Sequence, residues 1–221
     1  KKNKNKNYDK VSISLPHHNH IVLRNGIIKD FSFKNTLLKS MKIFPSSVRG
    51  KIKKYRKSTN ILTMSQFSYI WRRRKDFNFL KKITNINLKS LDDKNINFIY
   101  FPLITEPETS LHGIASDFFF QLSAIQMLAR DLPVNLRLVV KEHLPAIGRR
   151  PKDFYNQLIE LKNVLIADTL EPGISYITKS KAVALITGTA GWEAAAMGIP
   201  VISFSKYNTF NFLNHVFYVK D

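Results

Sequence analysis

The sequence predicts an α/β fold in which a parallel sheet is covered by helices, and three observations predict it. From residue 96 onward, strand-like and helix-like segments alternate. The strands are continuous apolar runs instead of alternating ones, which marks burial on both faces. Polar, specialised residues recur where the strands end, the place where doubly wound sheets bind ligands.

In order along the chain, NFIYFPL (97–103) reads as a strand and SDFFFQLSAIQMLARDL (116–132) as a strongly apolar helix. LRLVVK (136–141) is the next strand, and PKDFYNQLIEL (151–161) a helix with proline in its first turn. VLIAD (164–168) is a strand, followed by a helix near ISYITKS (174–180). AVALIT (182–187), a short helix from Trp192 to Met197 and PVISF (200–204) complete the run, and FYVKD follows a further strand-like stretch. No internal repeat is visible.

The composition narrows the possibilities. At 221 residues with 44% hydrophobic content, the chain is long enough for one sizeable core or a compact domain with an appendage. It has no cysteine, which excludes disulfides and thiolate metal sites and fits a reducing compartment. No apolar run reaches the roughly 18 residues of a membrane span. The opening KKNKNKNYDK has no apolar centre and does not read as a secretory signal. A chain that lacks an initial Met and stops just after a strand-like run reads as a fragment of a longer protein.

The net charge of +19 is unevenly placed. Residues 1–95 hold 24 Lys+Arg against 5 Asp+Glu, and residues 96–221 hold 11 of each. The sequence therefore divides into a basic N-terminal segment, 1–95, partly helical, and an α/β domain, 96–221. The basic segment is expected to be a linker or a remnant of a further domain. Within it, Met64, Phe67, Ile70, Trp71, Phe77, Leu80 and Ile83 fall near helical spacing among Arg72, Arg73, Arg74, Lys75, Lys81 and Lys82. The leading expectation is that this helix packs its apolar side on the neighbouring domain. An anionic membrane surface is the second reading and nucleic acid the third, with nucleic acid disfavoured by the neutral second half. HHNH (17–20) is weak as a metal site because no carboxylate or cysteine lies nearby.

Three strand-end stretches carry candidate chemistry. In ITGTAGWEA (186–194), Thr187, Gly188, Thr189, Ala190 and Gly191 join a strand to a helix. Glycines permit close backbone approach, and a helix start offers unpaired amides with partial positive charge, so the turn suits a phosphate. Glu193, one turn in, is placed to accept from a ribose diol. The plainer alternative is a tight turn whose Glu favours a helix start. The motif is neither G-x-G-x-x-G nor a Walker loop, which argues against an NAD enzyme or a P-loop ATPase. In VVKEHLPAIGRRPKDFY (139–155), Lys141, His143, Arg149 and Arg150 are candidate phosphate ligands. In FPLITEPETS (101–110), Glu106 or Glu108 is the candidate general base. His143 joins them as a candidate catalytic residue at the leaving group.

These stretches, YFPL-x-x-E-P-E, VKEH-x-x-x-x-G-R-R and ITGTAGWEA-x-x-x-G-x-P-V-I-x-F, resemble the capsular-polysaccharide biosynthesis family, which includes Kdo-type transferases of the two-domain GT-B fold. The resemblance covers residues 96–221 and implies the C-terminal, nucleotide-sugar-binding half of a Rossmann-like GT-B glycosyltransferase. It implies that His143 and Thr187 to Thr189 hold donor phosphates, that Glu193 holds the ribose, and that Glu106 and Glu108 face the interdomain cleft. It also implies a metal-independent transferase with no required cofactor. The expected donor is a CMP-sugar, with UDP- or GDP-sugar as alternatives. The acceptor would be a growing capsular or lipid-linked glycan, handled in the cytoplasm or peripherally on the inner face of the membrane. One departure is visible: the family's His-Pro pair is here His143-Leu144-Pro145, which changes the backbone constraint on His143. The rivals are a nucleotide-sugar epimerase of related architecture and a non-catalytic scaffold whose basic segment binds membrane or RNA.

Overall fold

The computed structural model describes residues 21–52, 57–106, 113, 115, 118 and 120–219. Side chains are described from residue 26 to 43 and again from residue 66. HHNH and Glu108 lie outside the described residues.

Three helices come first: α1 (Ile21–Asp30), α2 (Phe33–Ile52) and α3 (Lys57–Ile83). A short α4 (Leu88–Asp93) follows, its start capped by the Asn87 side chain accepting from the Ser90 amide at 2.8 Å. Then come β1 (Phe98–Pro102), α5 (Gln121–Asp131), β2 (Arg137–Lys141), a 3-10 turn (Leu144–Ala146), α6 (Phe154–Glu160) and β3 (Val164–Ile166). The chain continues through α7 (Gly173–Lys179), β4 (Ala182–Leu185), α8 (Thr189–Ala196), β5 (Val201–Ser203) and β6 (Val216–Tyr218).

The strands form one sheet in the order β3-β2-β1-β4-β5-β6, with every pairing parallel. This is the doubly wound Rossmann-like arrangement that the continuous apolar strands predict, with the switch in strand order between β1 and β4. Side chains alternate across it with the period of two that strand geometry imposes. Ile99, Phe101, Leu138, Val140 and Ala184 point to one face, where Phe77 and Leu80 of α3, Ile125 of α5 and Leu158 of α6 cover them. Phe98, Tyr100, Val139, Val183 and Leu185 point to the other, covered by Leu91 of α4, Ile177 of α7 and Ala194 of α8. As the helical spacing of residues 64–83 leads one to expect, α3 packs its apolar side on the sheet through Phe77 and Leu80, while the cover that α4 gives the other face has no signal in the sequence.

Two helices start later than their apolar patterns suggest. The predicted helix at 116–132 begins at Gln121, because the Glu106 carboxylate accepts the Gln121 amide at 2.8 Å and fixes the first turn there. The Gln121 side chain then clamps the Ile104 backbone, accepting its amide at 2.8 Å and donating to its carbonyl at 2.9 Å. The helix predicted from Pro151 starts at Phe154, after Asp153 at φ 62 breaks the run.

Candidate functional site

The exits of β2 and β4 lie on either side of β1, at the topological switch. At the β4 exit Thr187 is buried while Gly188 and Thr189 are exposed, so the corner is open to solvent. Gly188 precedes the first turn of α8 at φ 121, a conformation that L side chains rarely adopt, and only glycine takes it without strain. A Cβ there would lie 3.4 Å from Ile104 Cγ2, so the β4 and β1 exits are in contact. Gly191 lets α8 sit on the chain after β5: a Cβ at this position would be 2.3 Å from Phe210 Cζ. Buried Ala194 and Ala195 continue this small-residue face.

Glu193 projects from that helix and is only 8% exposed. Among the described residues its carboxylate meets no cation and no hydrogen-bond donor. Burial pushes its pKa up. Its charge also bears on Tyr100, whose phenol is raised first by burial and then by Glu193. Tyr100, invisible as a site residue inside an apolar strand, stacks on Tyr176 at 5.5 Å between centroids. A Cβ at Gly173 would lie 3.2 Å from its hydroxyl. Tyr176 in turn donates to Glu171, whose carboxylate also accepts the Leu88 amide at 3.0 Å.

An unpartnered buried carboxylate fixes the sign of a pH effect. Below the ordinary carboxylate range both folded and unfolded chains hold the Glu193 proton, and no penalty arises. As pH rises the unfolded chain releases it first, so the folded chain loses stability until its own raised pKa is passed. Glu193→Gln is therefore expected to stabilise the protein at neutral pH, with the gain vanishing in acid. Urea unfolding across pH checks this; a less stable Gln variant at neutral pH would reveal a partner for the carboxylate.

At the β2 exit, Lys141 donates to the Thr169 carbonyl at 3.1 Å, and the Thr169 hydroxyl is buried without a partner among the described residues. His143 is half-buried with an extended backbone, and its carbonyl accepts the Ala146 amide at 2.8 Å to start the 3-10 turn containing Pro145.

The structure gives Arg149, Arg150 and Glu106 different surroundings from the open phosphate and catalytic positions expected of them. Arg150 is 1% exposed. Its Nε donates to Glu142 Oε2 at 2.7 Å, Nη2 to Glu142 Oε1 at 2.5 Å and Nη1 to Glu106 Oε2 at 3.1 Å. Tyr155 adds a hydroxyl donor to Glu142 at 2.9 Å. Burial works most strongly against the Arg150 charge, but Glu142, Tyr155 and Glu106 together outweigh it and hold the guanidinium above its already high range. Three of its five N–H donors are spent on carboxylates, and a side chain this deeply buried does not reach the open cleft where a phosphate would lie. Glu106 divides its oxygens between Arg150 and the Gln121 amide, so it braces the fold. Arg149 is exposed and donates to the Tyr69 hydroxyl of α3 at 3.2 Å.

No protein-family model matches the chain, and no curated protein sequence matches it. Among solved structures it is similar to Thermosulfurimonas dismutans KpsC, beta Kdo 2,7 transferase, at 17% identity and TM-score 0.46, covering 65% of this chain and 46% of that one. It is also similar to T. dismutans KpsC, beta Kdo 2,4 transferase (12% identity, TM-score 0.37, 59% and 45% covered). A third is Methanocaldococcus jannaschii UDP-GlcNAc 2-epimerase in complex with UDP-GlcNAc and UDP (14% identity, TM-score 0.38, 69% and 41% covered). The chain spans less than half the length of each. Its own strand order and register establish the Rossmann-like architecture without them.

Proposed function

We propose that residues 96–221 bind the nucleotide-sugar donor of a metal-independent GT-B glycosyltransferase that extends a surface or lipid-linked glycan on the cytoplasmic side. The observation that carries this is the β4–α8 corner. It combines an exposed Gly188–Thr189 turn, the Thr189 and Ala190 amides at a helix start, and one turn further a buried carboxylate without a partner among the described residues. The ordered motifs of the sequence support the same reading.

In this reading the donor phosphate accepts from the first-turn amides of α8 and from Thr189, with Lys141 and His143 approaching from the β2 exit. The Glu193 carboxylate accepts from the ribose diol, which supplies the hydrogen bonds that the folded chain alone does not. An acceptor hydroxyl forms its bond to the anomeric carbon as the bond from that carbon to the phosphate oxygen breaks. The departing nucleotide keeps the electron pair, and its growing charge faces the positive helix end. The hydroxyl proton goes to a base; Glu108 remains the candidate, since Glu106 is engaged by Arg150 and Gln121.

A thermal-shift series with CMP-, UDP- and GDP-sugars tests the proposal, because a ligand bound only by the folded state raises stability with the logarithm of its concentration. A CMP-sugar is the expected best ligand. Glu193→Ala is expected to weaken nucleotide affinity by about 1–3 kcal/mol, the loss of a charge-assisted hydrogen bond. Unchanged affinity in calorimetric titration would remove Glu193 from the site. Incubating the donor without acceptor separates a transferase, which at most hydrolyses it slowly, from an epimerase, which converts it.

A further inference from the structure

Helix α2 is packed inside out. It lies along α3, yet among its described side chains, residues 33–43, the two buried ones are Thr36 and Ser40, at 0% and 4% exposure. Both turn their hydroxyls back onto helix carbonyls, Thr36 to Ser32 and Ser40 to Thr36, each at 2.8 Å. Meanwhile Phe33, Leu37, Leu38 and Met41 stand between 41% (Leu37) and 61% (Met41) exposed. At 100° per residue these four occupy one continuous arc of the helix, with Lys34 inside it and Lys42 at its edge. Arg74 of α3 lies over the Phe33 ring at 5.3 Å and marks the other border. A helix that buries its hydroxyls and presents its large apolar side chains has a second partner to meet.

Charge identifies that partner. From residue 31 to residue 75 the sequence contains 13 Lys+Arg and no Asp or Glu. The acidic residue just before this stretch, Asp30, is already paired with Lys39 at 2.7 Å. We propose that the Phe33–Leu37–Leu38–Met41 face of α2 docks on an anionic lipid bilayer, lying in the headgroup layer with Lys34, Lys42 and Arg74 around it. Such a surface takes both halves of the pattern, the apolar side chains in its acyl boundary and the cations at its headgroups. A nucleic acid would take the charge but leave Leu37, Leu38 and Met41 in water. A second copy would bring two basic hairpins together and repel itself. No helix among the described residues is long and apolar enough to cross a membrane, and the proposed contact is with the surface alone. The inference is independent of the donor site and survives if that reading fails.

The test is sedimentation of the full chain with phosphatidylglycerol-containing vesicles and with pure phosphatidylcholine vesicles. Binding is expected to the anionic vesicles only and to weaken with salt. Leu37→Glu combined with Met41→Glu is expected to lower the affinity about tenfold or more by removing apolar insertion and adding repulsion. Lys34→Glu with Lys42→Glu should also lower it, while Ile159→Glu, at an exposed site on α6, should leave it unchanged. Equal binding by the Leu37/Met41 variant, or equal binding to neutral vesicles, would overturn the proposal. So would binding of RNA with no vesicle binding, or a concentration-dependent dimer that the variant abolishes. A variant that melts earlier, in a chain that binds no vesicles, would show the face covered from within by residues 1–20, and that too would overturn it.

Discussion

Arg150→Ala is expected to destabilise the fold by about 3–5 kcal/mol, the cost of leaving buried charges without their partner. The guanidinium sits between Glu142 and Glu106, and all three side chains are withdrawn from solvent. Removing it strands two carboxylates whose remaining donors are the Tyr155 hydroxyl and the Gln121 and His143 amides. Those neutral donors cannot replace a full positive charge in a low-dielectric interior. Water entry or proton uptake would follow, and both loosen the β1 and β2 exits. A compensated variant separates charge from shape. Arg150→Met with Glu106→Gln and Glu142→Gln removes every charge; each new amide oxygen keeps an acceptor, for the Gln121 and His143 amides, and the Tyr155 hydroxyl turns to accept from the amide NH2 at position 142. It is expected to recover most of the loss, because an intact buried ion cluster adds little net stability over well-packed neutral groups. Urea unfolding of the single and triple variants measures the difference. A single-variant loss below about 1 kcal/mol would place the cluster in contact with water.

The sheet was legible because its strands carry one signal from end to end: runs such as Phe98 to Phe101 have no polar residue to turn outward. Its strand ends could be marked in sequence because they gather polar residues, and the Thr187–Glu193 stretch does lie at the exit of β4; that β4 borders the switch in strand order is visible only in the fold. What stayed hidden is what depends on pairing across distance. Gly148-Arg149-Arg150 reads locally as a phosphate fork, and nothing in the spacing announces Glu106, 44 residues away, as an Arg150 partner. One local signal did exist. Glu142 lies between Lys141 and His143 just past a strand end, so the period of two turns its side chain to the opposite side from theirs. An inward carboxylate demands a buried cation, and Arg150 supplies it. Helix α2 was missed for a different reason: its buried residues are hydroxylated and its exposed ones apolar, so periodicity points to the wrong face.

Gly148→Ala is expected to cost more than any other glycine-to-alanine change among the described positions with positive φ. Two penalties coincide there. Its φ of 90 lies in the region L residues avoid, worth about 1–2 kcal/mol. A Cβ would also stand 2.4 Å from Arg73 Cγ and 3.0 Å from Arg73 Cα, and moving a helix backbone adds about 1–3 kcal/mol. Gly198 supplies the control, since it has φ 71 after the end of α8 and nothing within 4 Å of its missing Cβ. The excess of Gly148→Ala over Gly198→Ala therefore measures how firmly α3 is seated. That seat is the 148–150 turn as a whole: Tyr69 accepts from Arg149, Arg72 donates to the Arg150 carbonyl, and Arg73 lies on Gly148. Amide hydrogen exchange in α3 should then rise in the Gly148 variant and stay unchanged in the Gly198 variant. Equal losses in both would mean that α3 yields without resistance. The basic helix would then cover the sheet through Phe77 and Leu80 alone, without the grip of the Gly-Arg-Arg turn.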